Sequence, residues 1–188
     1  VMATIATNWH EEGRLKGDAL VATIMSNLGL EKHMERIGLR LERTNVGDRY
    51  VVAAMQKLGC NLGGEQSGHI VISDFNTTGD GLVAALQVLA VLTEKGRPVS
   101  NLFKLFEPYP QILKNVRYNE NVDPLKNSHV KQAINDGENS LNGNGRVVIR
   151  KSGTEPLIRV MVEGNDDKLI SSVTDDIVAS VEATVQRD

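Results

Sequence analysis

The chain has 188 residues, a hydrophobic content of 40% and a formal net charge of −3. Its length lies between one large domain and two small ones, and its charge gives no average field that would favour DNA, RNA or an anionic membrane. The single cysteine, Cys60, excludes an intrachain disulfide and, with no export signal, predicts a reducing cytoplasm. Any anion that the chain binds must therefore be held by a local cluster of donors.

The first hundred residues alternate between strand-like and helix-like runs. Strands are predicted at residues 19–25, 39–44 and 69–73, because these runs are apolar or alternate with period two. The helical run after the second strand has Asp48 placed to cap it. The run LVAALQVLAVL, from Leu82, predicts a buried helix that is too short for a bilayer, which needs about 20 residues. This alternation indicates an α/β layered domain, a mixed sheet with helices on both faces.

The pattern breaks at the sequence KGRP, where we predict a boundary between domains of residues 1–97 and 98–188. The second part is organised differently. Its order of predicted elements is β-α-β-β-α, which indicates a small α+β domain with an antiparallel sheet under two helices. The predicted strands are residues 112–118, 145–150 and 157–163, and the predicted helices are residues 123–141 and a final run that includes Ile170 and Ile177.

The strongest local signal is RKSGTEP, which starts at Arg150 and lies between two predicted strands, with Arg159 on the exit strand. The hydroxyls of Ser152 and Thr154, the bend that Gly153 permits and successive amides can form a cup for a phosphate group. Guanidinium groups suit phosphate oxygens and stay charged at any working pH. From spacing alone, a polar hairpin with two solvated arginines is an equally open interpretation.

The segment GGEQSGH is a second candidate. The carboxylate of Glu65 can accept hydrogen bonds from two neighbouring sugar hydroxyls or from an ammonium group, and Ser67 and His69 stand beside it. The flanking glycines let a ligand approach the backbone closely. The alternative is a turn with a helix cap and a satisfied histidine.

A strand-to-helix turn supplies a third candidate, in which Gly47, Asp48 and Arg49 would line a cleft. Ligands of open α/β sheets sit beyond the carboxyl ends of the strands, where this turn is expected. A helix cap with a surface arginine is the alternative. Ser26 and Asn27 follow another strand and are expected to cap the next helix.

Metal-ligand spacing is absent from the sequence. The four histidines do not recur at ligand intervals, and one cysteine cannot build a structural zinc site. The run DFNTTGDG begins like a calcium loop, but Ala85 stands where that loop needs a bidentate glutamate. No metal ligand is therefore expected within this chain.

Three segments in this order, VGDRYV, GEQSGH followed by TTGDG, and RKSGTEPLIRVMVEG, resemble the α-D-phosphohexomutase superfamily. The resemblance covers essentially the whole chain and is closest to the branch that acts on glucosamine phosphates. Members have four domains around one cleft, and the resemblance implies that this chain holds most of the third and the fourth. The implied sugar-recognition residues are Glu65, Ser67 and His69, and the implied phosphate-binding residues are Arg150, Ser152, Gly153, Thr154 and Arg159.

The resemblance also implies an activity for the full-length protein. Such an enzyme moves a phosphoryl group between the 6- and 1-positions of glucosamine through a phosphoserine and glucosamine 1,6-bisphosphate, toward UDP-N-acetylglucosamine and the bacterial cell wall. The serine motif and the aspartate-rich loop for Mg²⁺ belong to the first two domains and are not in this sequence. The chain is therefore expected to be inactive alone and to have those amino-terminal domains as its partners.

Three other functions agree with the same motifs, and one residue departs from the pattern of related enzymes. Phosphomannomutases and phosphoglucomutases belong to the same superfamily, and a non-catalytic sugar-phosphate-binding module would carry similar loops. Related hexose mutases have a histidine at the position that matches Asp48, so the resemblance carries no catalytic role to that residue.

Overall fold

The computed structural model describes residues 1–119, 123–153 and 155–185 and divides the chain into two compact units, Val1–Pro108 and Tyr109–Asp188. The boundary predicted between residues 97 and 98 lies earlier. The intervening segment belongs to the first unit because Leu105 and Phe106 pack against its core. Arg36 also donates a hydrogen bond to the carbonyl of Leu105 at 2.8 Å.

The first unit is a four-stranded sheet in the order β2-β1-β3-β4. The first three strands of this order run parallel, and β4 is antiparallel to β3. This arrangement confirms the predicted mixed α/β fold. The strands are β1 (Ala19–Thr23), β2 (Arg40–Thr44), β3 (Leu62–Gly64) and β4 (Ile70–Ile72), and the helices are α1 (Met2–Glu11), α2 (Leu28–Arg36), α3 (Asp48–Leu58), α4 (Gly81–Lys95) and α5 (Val99–Phe103).

Side-chain alternation along β1 explains why helices cover both faces of the sheet. Leu20 packs into a core with residues of α1, α2 and α4, whereas Val21 packs with Val51 and Met55 of α3. Every residue of β1 is buried, as expected for a strand covered on both faces. The carboxyl ends of β1, β2 and β3 therefore lie at one edge of a sheet that is fixed from both sides.

Two predicted details of the helices are wrong. Asp48 does not cap α3, because Gly47 occupies the cap position and no side chain makes a cap hydrogen bond. Helix α4 is not buried all round, since Leu82, Leu86 and Leu89 are 72%, 54% and 55% exposed. These leucines recur at the spacing of one helix face, and that face points away from the sheet.

The second unit is a three-stranded antiparallel sheet with the order β5-β7-β6. Its predicted β-α-β-β-α order is confirmed. The predicted start at residue 123 is a 3₁₀ turn, and Asn127, in extended conformation, caps the helix proper. The strands are β5 (Gln111–Arg117), β6 (Gly145–Lys151) and β7 (Leu157–Gly164), the 3₁₀ turn is Pro124–Lys126, and the helices are α6 (Ser128–Leu141) and α7 (Asp167–Val185).

The core of the second unit lies between the sheet and its two helices. Ile158, Val160 and Val162 of β7 are fully buried in it, together with Ile170 and Ile177 of α7. Alternation along β7 therefore directs these three side chains to the helices, as the sequence predicts. No helix in the described ranges combines the length and the apolar character that a membrane span requires.

Gly137 provides a test of the α6–α7 contact. A Cβ atom at this position would lie 2.7 Å from Cγ1 of Val173, a side chain that is stiff at χ1 in a helix. Gly137→Ala is therefore expected to lower the free energy of unfolding by about 1–3 kcal/mol, as overpacking does. Urea denaturation followed by circular dichroism measures the change.

The matched control is Gly81→Ala in the first turn of α4, where an added Cβ meets nothing within 4 Å. Alanine normally stabilises a helix relative to glycine by about 0.5–1 kcal/mol, so this variant should be no less stable than the parent. If Gly137→Ala behaved like the control, the close packing of α6 on α7 would be wrong.

Candidate functional site

Three turns follow the carboxyl ends of the parallel strands in the first unit. They are residues 24–27 after β1, residues 45–47 after β2 and residues 65–69 between β3 and β4. Because the three strands run in the same direction, these turns lie at one edge of the sheet. The segments around Gly47 and Glu65, which the sequence predicts as separate candidates, are therefore brought together in space.

Glu65 links two of these turns. Its Oε1 accepts a hydrogen bond from the backbone N–H of Gly47 at 2.8 Å, and Ser67 Oγ lies 3.5 Å from its Oε2. Gly47 has φ of +127°, which favours glycine at this position. Each carboxylate oxygen keeps lone-pair capacity for a further donor. The half-buried carboxylate is thus oriented and remains able to accept hydrogen bonds from a ligand.

His69 makes a second link between the same turns. Its Nε2 lies 2.8 Å from Oδ2 of Asp48, with the two side chains 48% and 38% exposed. Asp48, mispredicted as a helix cap, instead faces the imidazole across the turn. The exposed edges of both side chains leave the ring accessible to a ligand.

Two of the three turns, residues 24–27 and residues 65–69, border a cavity of about 240 Å³. Its polar wall combines Ser26 and Asn27 with Glu65 and Gln66, and its apolar lining includes Phe106. Asn27 also caps α2 as predicted, because its Oδ1 accepts a hydrogen bond from Gly29 N at 2.8 Å. Mostly apolar walls with a few convergent polar groups are typical of small-molecule sites.

Arg49 is not brought into this group of residues. Its guanidinium group lies 4.6 Å from the ring centre of Tyr50, and its Nη2 donates to the Tyr50 hydroxyl at 2.7 Å. Of the three residues predicted to line a cleft, Gly47 and Asp48 therefore contact the loop of residues 65–69, and Arg49 contacts its own neighbour.

A second cavity, of about 260 Å³, opens at the opposite edge of the same sheet and includes Lys16, Cys60, Asn61 and Asp74. Burial raises the pKa of the Cys60 thiol, which disfavours its nucleophilic thiolate form. Burial alone would raise the pKa of Asp74, but hydrogen bonds from Lys16 at 2.6 Å and Asn61 at 2.8 Å outweigh it and lower that pKa. The polar groups here satisfy one another, which favours a structural role.

The phosphate-loop candidate connects β6 to β7 in the second unit. The loop is closed at its base by a hydrogen bond from Ser152 N to the Leu157 carbonyl at 2.7 Å. Ser152 is partly buried and Gly153 is exposed. Thr154, the other predicted hydroxyl, lies outside the described residues. The loop is thus held on two paired strands, as the sequence predicts.

Arg150 and Arg159 occupy directly opposite positions on β6 and β7, and Asn115 of β5 lies opposite Arg159 on its other side. The three residues form one row across the sheet. Cβ atoms of directly opposite residues are about 4.5–5.5 Å apart, and like charges in such positions repel. An anion placed between the two guanidinium groups would turn this repulsion into attraction.

The Nε of Arg159 is buried, and among the described residues it has no hydrogen-bond partner. A buried donor of a charged group without a partner is costly, and such atoms in a native protein indicate a ligand, a water or stored strain. A dianion bound at the row would satisfy this donor and offset the charge.

Lys151 does not belong to this row. Its ammonium group is 3.0 Å from Oδ1 of Asp123 and 5.6 Å from the ring centre of Tyr118. Its hydrogen bond lowers the pKa of the Asp123 carboxyl. Because successive residues of a strand face opposite sides, Lys151 lies on the other face from Arg150. Lys151 is therefore a suitable control for substitution of Arg159, because it carries the same charge but lies on the other face of the sheet.

The sequence reasoning missed two residues, Asn115 beside Arg159 in the second unit and Gly79 beside His69 in the first. Asn115 lies inside a correctly predicted strand, but only the register of β5 on β7 places it beside Arg159. Gly79 packs against His69, as a Cβ there would fall 1.9 Å from the ring carbon Cδ2. The motif TTGDG was visible, but its contact with GEQSGH is a tertiary one.

Within the described part of the chain, no three histidine, cysteine or acidic side chains are grouped so that they could hold a metal ion. The polar groups at the two loops are instead a carboxylate, an imidazole, hydroxyls and two guanidinium groups. These groups suit hydroxyl and anion recognition.

Comparison with known families assigns both units. Residues 1–109 match the family model described as phosphoglucomutase/phosphomannomutase, alpha/beta/alpha domain III, and residues 113–180 match the C-terminal domain of the same family. Phosphoglucosamine mutases of Paracoccus denitrificans and Rhodospirillum centenum are 59% and 60% identical over 97% and 100% of this chain. The chain spans only 41% and 40% of the length of these two relatives.

Solved structures share the fold. An Aspergillus fumigatus N-acetylphosphoglucosamine mutase in complex with GlcNAc-6P and magnesium has a TM-score of 0.77 and 19% identity, over 96% of this chain and 46% of its own. A product complex of N-acetylglucosamine-phosphate mutase has a TM-score of 0.72 and 16% identity, over 97% and 43% of the two chains. At such identities the likeness shows the fold alone.

The opposed arginines predict a stability that depends on phosphate. In phosphate-free buffer of low ionic strength, Arg159→Met should raise the free energy of unfolding by about 0.2–1 kcal/mol, because it removes one of two facing like charges. Denaturant titration with and without inorganic phosphate checks this. Phosphate should then stabilise the parent more than the variant, since only the parent keeps both guanidinium groups.

Lys151→Met is the control for removal of a positive charge. It breaks the Lys151–Asp123 ion pair and should lower stability, while leaving the effect of phosphate intact. An Arg159→Met chain that is less stable than the parent in phosphate-free buffer would contradict the repulsion.

Proposed function

Because the chain belongs to the phosphoglucomutase/phosphomannomutase family, we propose that it is the part of a phosphoglucosamine mutase that holds the phosphosugar. The full-length protein would interconvert glucosamine 6-phosphate and glucosamine 1-phosphate through a phosphoserine and a bisphosphate intermediate. The identity of 58–60% to phosphoglucosamine mutases from several bacteria supports this choice of sugar.

The pair of opposed arginines is the observation that carries the proposal. Arg150 and Arg159 occupy directly opposite strand positions beside a loop that carries Ser152 and the exposed backbone of Gly153. Each hydrogen bond to a charged group contributes about 1.5–3 kcal/mol, so three such bonds suffice to hold a sugar phosphate. We assign the phosphate of the substrate to this loop, with Thr154 as a further donor.

The loop of residues 65–69 is assigned to the sugar. The Glu65 carboxylate, oriented by the N–H of Gly47, can accept hydrogen bonds from an ammonium group or from hydroxyls. Ser67 and His69 stand on the same loop and can bind neighbouring hydroxyls. The amino group of glucosamine gives Glu65 a charge-assisted partner that glucose and mannose lack.

The assignment of the phosphate to one loop and of the sugar to another suits a mutase. Such an enzyme must present first one end and then the other end of its substrate to the same phosphoryl group. A site that recognises only charge and shape can hold whichever phosphate is not reacting. Hydroxyl-recognising groups can serve both orientations, because they contact the ring and not its ends.

The residues of this chain hold and orient the substrate, and we assign them no covalent step. Magnesium occurs in a solved relative of the same fold. The described residues offer no grouped set of three ligands for it, so we assign it to no residue here. The phosphoryl transfer is assigned to the part of the full-length protein that the relatives have beyond the region matched here.

The phosphate loop can be tested by titrating the ¹⁵N-labelled chain with glucosamine 6-phosphate. The backbone amides of Ser152, Gly153 and Glu155 should shift, with a dissociation constant of roughly millimolar order, which corresponds to about −4 kcal/mol. Arg159→Met should abolish these shifts because it removes a phosphate partner, whereas Lys151→Met should retain them. Amides that stay still, or that move equally in Arg159→Met, would refute the assignment.

Glu65→Gln tests the sugar assignment. The variant can still accept the hydrogen bond from Gly47, so the turn should keep its shape, but it loses its negative charge. It should weaken glucosamine 6-phosphate binding by about tenfold, equivalent to about 1.4 kcal/mol, and affect glucose 6-phosphate much less. Equal losses for both sugars would contradict the pairing of Glu65 with the amino group.

A competition assay on the full-length gene product decides among the mutases of the family. Glucosamine, mannose and glucose phosphates compete for the enzyme, and glucosamine phosphate should have the highest kcat/KM. A preference for either of the other two would overturn the proposed substrate. A full-length product that binds but converts none of the three would support a binding module instead.

A further inference from the structure

The imidazole of His69 is fixed by two residues that lie far from it in sequence. On one side, Nε2 is 2.8 Å from Oδ2 of Asp48, the first residue of α3. On the other side, the ring lies against Gly79, which precedes the cap of α4. His69 therefore sits where three elements meet: the β3–β4 loop, α3 and the approach to α4.

The contact with Gly79 leaves no room for a side chain. A Cβ atom built on Gly79 would fall 1.9 Å from Cδ2 and 2.4 Å from Nε2 of His69. Gly79 is held in place by an antiparallel bridge to Val71, and Asp80 N donates to the Ile70 carbonyl at 3.1 Å. The backbone under the ring is thus tied to β4 and cannot easily withdraw.

Nearby Asp80 is the N-cap residue of helix α4. Its Oδ1 accepts hydrogen bonds from the backbone N–H groups of Leu82 and Val83 at 2.9 and 3.0 Å. Its carboxylate is therefore occupied in capping α4. Ser67, Gly68, His69, Gly79, Asp80 and Gly81 together line an open depression of about 340 Å³, so the ring has free space on the ligand side.

We infer that Asp48 and Gly79 are positioning residues for His69, and that together they set which imidazole nitrogen meets the substrate. The inference rests on the proposed function for its ligand. The segment TTGDG thus supplies the floor for the ring, and VGDRYV supplies a carboxylate that lies 2.8 Å from its nitrogen.

The consequence concerns the tautomer of the imidazole. In the neutral ring, a proton on Nε2 is favoured because this nitrogen faces the Asp48 carboxylate. Nδ1 has no hydrogen-bond partner among the described residues. It is thus left as an acceptor for a sugar hydroxyl, while Asp48 touches the ring and not the substrate.

Nuclear magnetic resonance on the 188-residue chain tests the placement without a ligand. A nuclear Overhauser contact between Hδ2 of His69 and the Hα protons of Gly79 is expected in the parent. Long-range ¹H–¹⁵N spectra at a pH where the ring is neutral should show the proton on Nε2. The other three histidines serve as internal references.

Three variants separate positioning from general structure. Asp48→Ala should convert the ring to a mixture of tautomers, and Gly79→Ala should displace it and remove the Overhauser contact. Glu35→Ala, which removes an exposed carboxylate that pairs with Lys32 on α2, should change neither. The inference is overturned if the parent shows no contact with Gly79, or if Asp48→Ala leaves the Nε2 tautomer unchanged.

Binding of glucosamine 6-phosphate supplies the second readout. Asp48→Ala and Gly79→Ala should each raise the dissociation constant by about tenfold, the effect of losing roughly one hydrogen bond, while Glu35→Ala should stay within about twofold of the parent. Equal affinity in all three variants would overturn the role of the pair. A parent chain that shows the contact and the Nε2 tautomer but binds no sugar phosphate would instead refute the proposed function.

Discussion

The register of β6 on β7, which sets two arginines at directly opposite positions, is the constraint on which the candidate phosphate site depends. Arg150 and Arg159 owe this arrangement to the register of β6 on β7, which in turn follows from the burial of Ile158 and Val160 on the opposite face. Slipping the register by one residue would move the arginines into the core and the apolar side chains to the surface. The hydrophobic core thus brings two arginines to directly opposite positions, the arrangement on which the proposed phosphate site depends.

In the first unit, polar side chains at the edge of the sheet are held in place by the strands and by contacts between turns. Its strands are anchored by cores on both faces, and the turns beyond them are tied to one another by polar contacts. Glu65 reaches Gly47, and His69 reaches Asp48, so two turns that are distant in sequence behave as one surface. Oriented groups lose less conformational entropy when a ligand binds, which is the usual benefit of such ties.

Much of the fold could be predicted because local pattern and global fold agree. Period-two alternation predicts β7, and the order of elements predicts helices on both faces of the first sheet and two helices on the second. The prediction was wrong for α4, where Leu82, Leu86 and Leu89 lie on an exposed face. An apolar run in the sequence shows that a helix is hydrophobic, but it does not show which side of that helix faces the core. Asp48 was misjudged similarly: an aspartate near the predicted start of a helix suits a cap, but Gly47 holds the cap position and Asp48 is the first helical residue.

The sequence by itself determined which chemical groups are available and which segments carry them: the two arginines, the glycine-flanked carboxylate and the strand–helix order that places loops at the ends of strands. Only the tertiary structure decided which groups meet. Asn115 joins Arg159 through strand register, and Gly79 meets His69 through a β-bridge. The physical reason is that composition and periodicity act over a few residues, whereas pairing across strands and contact between loops depend on how distant segments pack.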